Sequence, residues 1–202
     1  MCIIGDSSKG AAKLDRGTRA CGKCASSGRD FYAETVPILI RFAAANDYDV
    51  AENIENIADS ILIEHLQPQT WWPATTASER AAAPGFMLIA VDSETEHIAG
   101  FAHIIEVDGF AHLEQLSVLP EFGRRGYGRR LVEAAAKESH RRGHAEITLR
   151  TFAEVPWNAP FYATCGFIES EPITDFHRGL VDVERNIGLP SLGRRVQMTK
   201  PL

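Results

Sequence analysis

Apolar and polar positions divide the chain into two regimes. Up to about residue 34 it is rich in Gly, Ser, Lys and Arg and shows no apolar period. Such a segment has too little apolar surface to join a core and reads as a flexible extension. From Val36 the pattern becomes regular. Pro37-Ile-Leu-Ile-Arg-Phe42 reads as a strand, and Asp47 to about His65 carries Val50, Ile54, Ile57, Ile61 and Leu62 at helical spacing. Pro68 ends that helix, and Trp71-Trp72-Pro73 opens a polar loop that runs to Pro84. Phe86-Met-Leu-Ile-Ala-Val91 is a continuous apolar run and reads as a buried strand. His97–Val107 and His112–Leu119 read as two more, the last pair joined at the hairpin signal Asp108-Gly109.

Beyond Pro120 the chemistry changes. Glu121-Phe-Gly-Arg-Arg-Gly-Tyr-Gly128 is a loop of glycine and arginine. Arg129 to Arg142 then reads as a helix with Leu131, Val132, Ala135, Ala136 and Ser139 on or near one face, and Gly143 is placed to cap it. Ala145–Phe152 reads as a strand, Pro156–Thr164 as a short helical segment, and Phe167 and Arg195–Lys200 as two final strands. The order is strand, helices, three strands, helix, strand, helix, two strands. Residues 1–34 form the extension and 35–202 one domain.

Composition narrows the classes. With 45% hydrophobic and 24% charged residues among 202, the chain has the balance of a soluble globular domain and the length to bury a core without staples. No apolar run approaches the roughly 18 residues of a membrane span. Lys plus Arg number 21 against 27 Asp plus Glu, and this net −6 argues against a general nucleic-acid binder. Four cysteines are too few for a disulfide scaffold, and the start lacks the apolar stretch of an export signal, so a reducing cytoplasm is expected. Cys21-Gly-Lys-Cys24 is half of a zinc pattern with no second pair, and the histidines have no metal-ligand spacing, so no metal is expected.

The loop and the helix after it form one physical device. A helix N-terminus leaves backbone N–H groups unpaired and carries partial positive charge. Gly126 and Gly128 allow close backbone approach and positive φ. Arg124, Arg125, Arg129 and Arg130 add charge beside those amides, enough to hold a diphosphate or similar anion. The spacing is neither that of a Walker loop, which needs G-K-[ST], nor that of a dinucleotide fingerprint, whose third glycine is missing.

Here the sequence resembles the GCN5-related N-acetyltransferase family. That family's phosphate loop reads Gln/Arg-x-x-Gly-x-Gly/Ala after a strand ending near Val-x-Pro-Glu, and this chain has Leu116-Ser-Val-Leu-Pro-Glu-Phe-Gly-Arg-Arg-Gly-Tyr-Gly128. It departs at the first motif position, where Gly123 stands. A second block is similar too: Ile147-Thr-Leu-Arg-Thr-Phe152, then Asn158, Phe161-Tyr162 and Cys165-Gly-Phe167. The resemblance spans about residues 35–202.

What the resemblance implies is an α/β (α+β) fold: a central mixed, mostly antiparallel sheet with one splayed parallel strand pair, flanked by helices. It implies acetyl-CoA as co-substrate. The backbone of Leu116, Ser117 and Val118 would meet the pantetheine arm, Arg124, Arg125, Gly126, Tyr127, Gly128 and Arg129 the diphosphate, and Asn158 the cofactor or the next turn. Tyr162 would protonate the departing thiolate. Glu114 is the leading general base, facing the acceptor if a bulge shifts the register, with His112 its rival. Cys165 invites an acetyl-cysteine route but lies in a turn. The expected reaction is direct acetyl transfer to a primary amine of a small molecule or peptide, with a non-catalytic acyl-CoA-binding regulator as the alternative. Nucleic acid and membrane are not expected partners, and a homodimer is compatible with the reading. The acceptor would be shaped by about residues 46–84, where Trp71 and Trp72 either line a pocket or cover the core.

Overall fold

A computed structural model describes residues 3–4 and 38–202. The remaining residues of the expected extension, Cys21 and Cys24 among them, lie outside the described residues. The elements are β1 (Ile3–Ile4), β2 (Ile38–Phe42), α1 (Asp47–Leu66), α2 (Ala77–Ala82), β3 (Gly85–Asp92), β4 (Ile98–Val107) and β5 (Phe110–Val118). After them come α3 (Tyr127–Arg141), β6 (Glu146–Phe152), α4 (Ala159–Thr164), β7 (Ile168–Ser170), α5 (Asp175–Asn186) and β8 (Arg195–Pro201).

Seven strands form one path in the order β2-β3-β4-β5-β6-β8-β7. All neighbours on it are antiparallel except β5 and β6, so this seven-strand path is mixed with a single parallel pair, as expected. The two-residue β1 stands off this path, parallel to the end of β5.

The apolar run in β3 is explained by helices on both faces. Phe86, Leu88 and Ala90 enter the core under α3 with Leu131, Val132 and Ala135. Met87 and Ile89 enter the opposite layer with Ala51 and Ile54 of α1 and Phe101 of β4. Each fully buried aliphatic side chain contributes about 1.5–3 kcal/mol, so this two-sided burial anchors the middle of the sheet. The α3 face is the expected one, and Gly143 follows it with φ 95°. The hairpin at Asp108-Gly109 has φ 52° and 84°, as a two-residue turn matched to strand twist requires.

Three expectations need correction. The polar loop expected from Trp71 to Pro84 contains α2, which Thr76 and Glu79 cap reciprocally. The buried stripe of α1 is Ala51, Ile54, Glu55, Ala58, Asp59 and Leu62, whereas Val50 and Ile57 are 37% and 41% exposed. The helix is rotated from the orientation its large apolar residues suggested, and it turns two carboxylates inward. Helix α5, between the two final strands, was not anticipated. Its most deeply buried positions are His177 and Glu184, and Phe176, Leu180 and Ile187, half-buried at helical spacing, are the apolar signal that the sequence reading passed over. It is capped by Thr174, whose hydroxyl accepts from the His177 N–H at 3.2 Å. It is also fastened by Glu184, which accepts from Arg150 at 2.8 Å and from Arg195 Nε at 3.1 Å.

Two features of β5 position the site. Its pairing with β6 covers only Ala111–Leu113 against Ile147–Leu149, after which the two strands diverge. On the other edge, Ile104 faces Leu113 but His103 faces Gln115, so Glu114 is the extra residue of a β-bulge. The bulge changes parity. Ala111 and Leu113 before it, and Leu116 and Val118 after it, all reach the α3 core. Gly100 closes the opposite side, because a Cβ there would lie 2.5 Å from the Ser117 carbonyl oxygen. Only glycine lets β4 approach the end of β5 so closely.

Candidate active site

The Gly/Arg loop enters α3 through Gly126, whose φ of 92° is the left-handed conformation that L side chains rarely adopt. No side chain among the described residues caps the helix, and its first intrahelical bond runs from the Arg130 N–H to the Gly126 carbonyl at 3.0 Å. The amides before that bond lie at the positive end of a 15-residue helix. The loop opens on a cavity of about 330 Å³ lined by Val118, Phe122, Arg124, Gly126, Tyr127, Gly128, Arg129, Pro156, Trp157 and Phe161. Backbone amides, two guanidinium groups and an apolar wall therefore share one space, and that combination suits an anionic head on an apolar arm.

Three of the expected cofactor residues commit their side-chain polar groups to partners within the protein. Arg125 turns away from the cavity to Asp92, at 3.3 Å. The Tyr127 ring is buried and its hydroxyl donates to the same carboxylate. That hydrogen bond and those to Thr95 hold Asp92 low, at about 2, while burial and the nearby carboxylate push the Tyr127 phenol to about 12. Tyr127 thus fixes the loop to the β3–β4 turn and offers a ligand only its backbone. Arg129 donates to the Thr164 carbonyl at 3.0 Å and to its hydroxyl at 2.9 Å, tying α3 to α4.

Where β5 and β6 part, polar atoms are buried without hydrogen-bond partners among the described residues: Thr151 Oγ1, Trp157 Nε1, and both amide atoms of Asn158. Asn158 is fully buried at the start of α4, and its side chain does not cap that helix. Buried amides are almost always satisfied, so this cluster fits a polar ligand entering the cleft. Leu116, Ser117 and Val118 are buried on the same stretch of β5, with Ser117 Oγ accepting from Gln115 at 2.8 Å. Tyr162 is fully buried in α4, its ring edge-on to Phe161 and Phe167 with centroids 5.1 and 5.8 Å away.

Glu114 lies on the far face of the sheet from α3. It shares a cavity of about 190 Å³ with His112, Arg150, Glu184 and Arg195. Its Oε2 is 3.1 Å from His103 Nδ1. Burial works to raise this carboxyl, but the His103 hydrogen bond and the charge of Arg80 help to hold it at about 2. His112 is fully enclosed, and burial drops it to about 3, so it stays neutral at ordinary pH while Nδ1 meets Thr148 Oγ1 at 2.8 Å. Burial pushes the Cys165 thiol up, the opposite of what a nucleophile needs.

The sequence reading missed the residues of α1 that complete this side. Glu55 and Asp59, one helical turn apart, are both buried. Glu55 accepts from the fully buried Arg80, whose guanidinium lies 4.7 Å from the Phe101 ring centroid. Asp59 accepts from Trp71 Nε1 at 2.8 Å and leaves Oδ1 without a partner among the described residues. Burial raises Glu55 to about 7, outweighing the opposing charge of Arg80, and raises Asp59 as well. The charges of Glu55 and Glu114 act on each other, which brings α1 and the bulge into one electrostatic cluster. A signal was available: two acids at i and i+4, flanked by Ile54 and Ala58, lie in the stripe that also holds Ala51 and Leu62. Trp71 packs beside Ala58 and Leu62, whereas Trp72 is 38% exposed. No group of three or more metal-ligating side chains occurs among the described residues, and no described helix is long and apolar enough to cross a membrane.

The sequence model of the Acetyltransferase (GNAT) family matches residues 51–167. Among solved structures, the ribosomal-protein-S18-alanine N-acetyltransferase of Escherichia coli superposes with a TM-score of 0.57 at 22% identity, over 82% of this chain and 94% of that one. The PaiA N-acetyltransferase of Thermoplasma acidophilum, in complex with coenzyme A, gives 0.61 at 18% identity, over 82% and 99%. A Mycobacterium tuberculosis protein in complex with CoA gives 0.59 at 14% identity, over 81% and 99%. These likenesses establish a shared fold.

Proposed function

The chain belongs to the acetyltransferase (GNAT) family and is an acyltransferase, and we propose that it moves an acetyl group from acetyl-CoA to a primary amine of a cationic acceptor. The observation that carries this reading is the uncapped start of α3. Its glycine loop and Arg124 open on the same cavity as an apolar wall, beside the Asn158 amide, which has no hydrogen-bond partner among the described residues.

Acetyl-CoA supplies an acyl group already activated as a thioester. The loop amides and Arg124 hold the diphosphate. The backbone of Leu116–Val118 holds the pantetheine arm, and Asn158 satisfies its amide against the cofactor. An N–H near Leu116 polarises the thioester carbonyl. The acceptor approaches from the α1 side, where Glu114 holds its ammonium. With its carboxyl held low, Glu114 makes a better ion partner than proton acceptor. Glu55, raised to about 7, accepts the proton through water, because a base works best with a pKa near the working pH. The freed amine forms the N–C bond as the C–S bond breaks, Tyr162 donates a proton to the departing sulfur, and the second proton shed by the new amide nitrogen restores the Tyr162 hydroxyl. The excess of carboxylates over cations in this cluster favours an acceptor with positive charge, in a small molecule or a peptide.

Calorimetric titration with coenzyme A, NAD and ATP, followed by thiol release over a panel of amines, tests the reading. Binding of coenzyme A alone, with turnover on polyamines or basic peptides, is expected. Binding of NAD or ATP in its place would overturn it.

A further inference from the structure

The stretch of β5 that β6 abandons is not left bare. At Ser117 and Val118 it pairs with β1, Ile3 facing Ser117 and Ile4 facing Val118. The opposite edge of these residues belongs to β4, through Phe101 and Gly100. β1 therefore takes the side from which β6 departs, and it runs parallel to β5 as β6 does. Helix α1 packs against it. Two β-branched residues suit an added strand, whose main-chain hydrogen bonds supply the affinity.

We propose that Ile3–Ile4 is an internal competitor of acyl-CoA: a strand of the chain's own N-terminal extension that occupies the backbone edge needed by the pantetheine arm. This rests on the assignment of that edge to pantetheine. One row of N–H and C=O groups cannot pair with both. The sequence places 33 residues between Ile4 and Ile38, so the pairing is intramolecular, and a covalently linked segment competes at an effective concentration on the order of millimolar. A two-residue strand of weak intrinsic affinity can then hold the cleft until acyl-CoA displaces it. The apparent dissociation constant rises by the inverse of the open fraction, so occupancy in nine molecules of ten weakens cofactor binding about tenfold. Acyl-CoA supply, or any partner that draws the extension away, would set the enzyme's activity.

The test compares the full chain with the full chain carrying Ile3→Pro and Ile4→Pro, which removes two strand donors outside the seven-strand path. Coenzyme A affinity is measured by calorimetry, and amide exchange of residues 1–6 is followed in the unaltered protein as coenzyme A is added. About tenfold tighter binding by the variant, and faster exchange at Ile3–Ile4 in the unaltered protein on cofactor binding, are expected. Equal affinity in the two proteins, with exchange unchanged, overturns the inference and leaves the acetyl-CoA reading standing. Weaker binding by the variant also overturns it, because the segment would then help build the site. Failure of both proteins to bind coenzyme A overturns the reading of the cleft itself. If the variant does not fold, the exchange measurement alone decides.

Discussion

His103 and Glu114 meet across a β-bulge, with Nδ1 3.1 Å from Oε2, although in strand register His103 stands opposite Gln115. The extra residue in β5 moves Leu116 and Val118 to the core face and leaves Glu114 beside the α1 carboxylates. Removing the Glu114 charge should therefore affect the acceptor and spare the cofactor. Glu114→Gln is expected to lower kcat/KM for the amine by about 10–100-fold, the worth of one hydrogen bond to a charged group, with coenzyme A affinity unchanged. His103→Leu removes the hydrogen bond that helps hold the carboxyl low, so the acid limb of kcat/KM should move to higher pH. Steady-state kinetics from pH 4 to 8 would reveal both, because a limb that lies below this range in the unaltered protein should enter it in the variant, and its continued absence would detach His103 from the site.

Glu55 gives a second, separable pH dependence. Burial raises its carboxyl from 4.5 to about 7. Because the folded value lies above the unfolded one, this group's contribution to stability is complete below about 4.5 and is lost as pH rises through about 7. At 1.36 kcal/mol per unit the difference is at most about 3 kcal/mol. Glu55→Gln should flatten the fall in stability between pH 5 and 8, measured by urea unfolding at each pH. It should also remove the rise in kcat/KM through about pH 7. A variant that keeps that rise would exclude Glu55 as proton acceptor.

The Gly126 loop, proposed to hold the diphosphate, should separate binding from folding. A Cβ at Gly126 would meet nothing nearer than Ile38 Cδ1, at 4.0 Å, but it would sit on a residue with φ 92°. Gly126→Val should cost about 1–3 kcal/mol of stability through backbone strain. It should weaken coenzyme A binding by more than tenfold, since the side chain enters the space in front of the helix amides. Thermal melts and calorimetry on one sample distinguish the two effects. Wild-type affinity in a folded variant would move the diphosphate elsewhere.

What could be read from the chain followed the range of the interaction. The Gly126–Gly128 loop, the hairpin at Asp108-Gly109 and the apolar face of α3 are local, and each carries its cause in neighbouring residues. The inward face of α1 was misread because Ala51, Glu55, Ala58 and Asp59 are small or charged, so the larger Val50 and Ile57 dominated the pattern while pointing outward. Helix α5 was passed over although Phe176, Leu180 and Ile187 stand at helical spacing; what its sequence does not show is the anchor, since Glu184 pairs with Arg150 and Arg195 across 34 and 11 residues. The bulge at Glu114 depends on β4 and cannot be deduced from β5 alone. Arg125 was grouped with its neighbours by proximity, yet the position of Asp92 draws it out of the cavity.

Tyr162 provides the sharpest test of the chemical step. Its ring is fully buried between Phe161 and Phe167, and its N–H donates to the Asn158 carbonyl at 3.0 Å, so the residue is also part of the α4 turn that presents Asn158. Tyr162→Ala would remove that packing, and a loss of activity would say nothing about proton transfer. Tyr162→Phe keeps the ring and deletes only the hydroxyl. The coenzyme A thiolate is a fair leaving group, so protonating it helps without being indispensable. General acid catalysis contributes about 10²–10⁴-fold, and for this leaving group a loss near or below the lower end is expected. The loss should appear in kcat, with coenzyme A affinity and melting temperature nearly unchanged, because an interaction made only in the transition state lowers kcat and kcat/KM together. Single-turnover thiol release, monitored when chemistry limits the rate, is the measurement that separates this from slow product release. Turnover at the wild-type rate under those conditions would make Tyr162 a packing residue and pass the proton to water or to the acceptor's own ammonium.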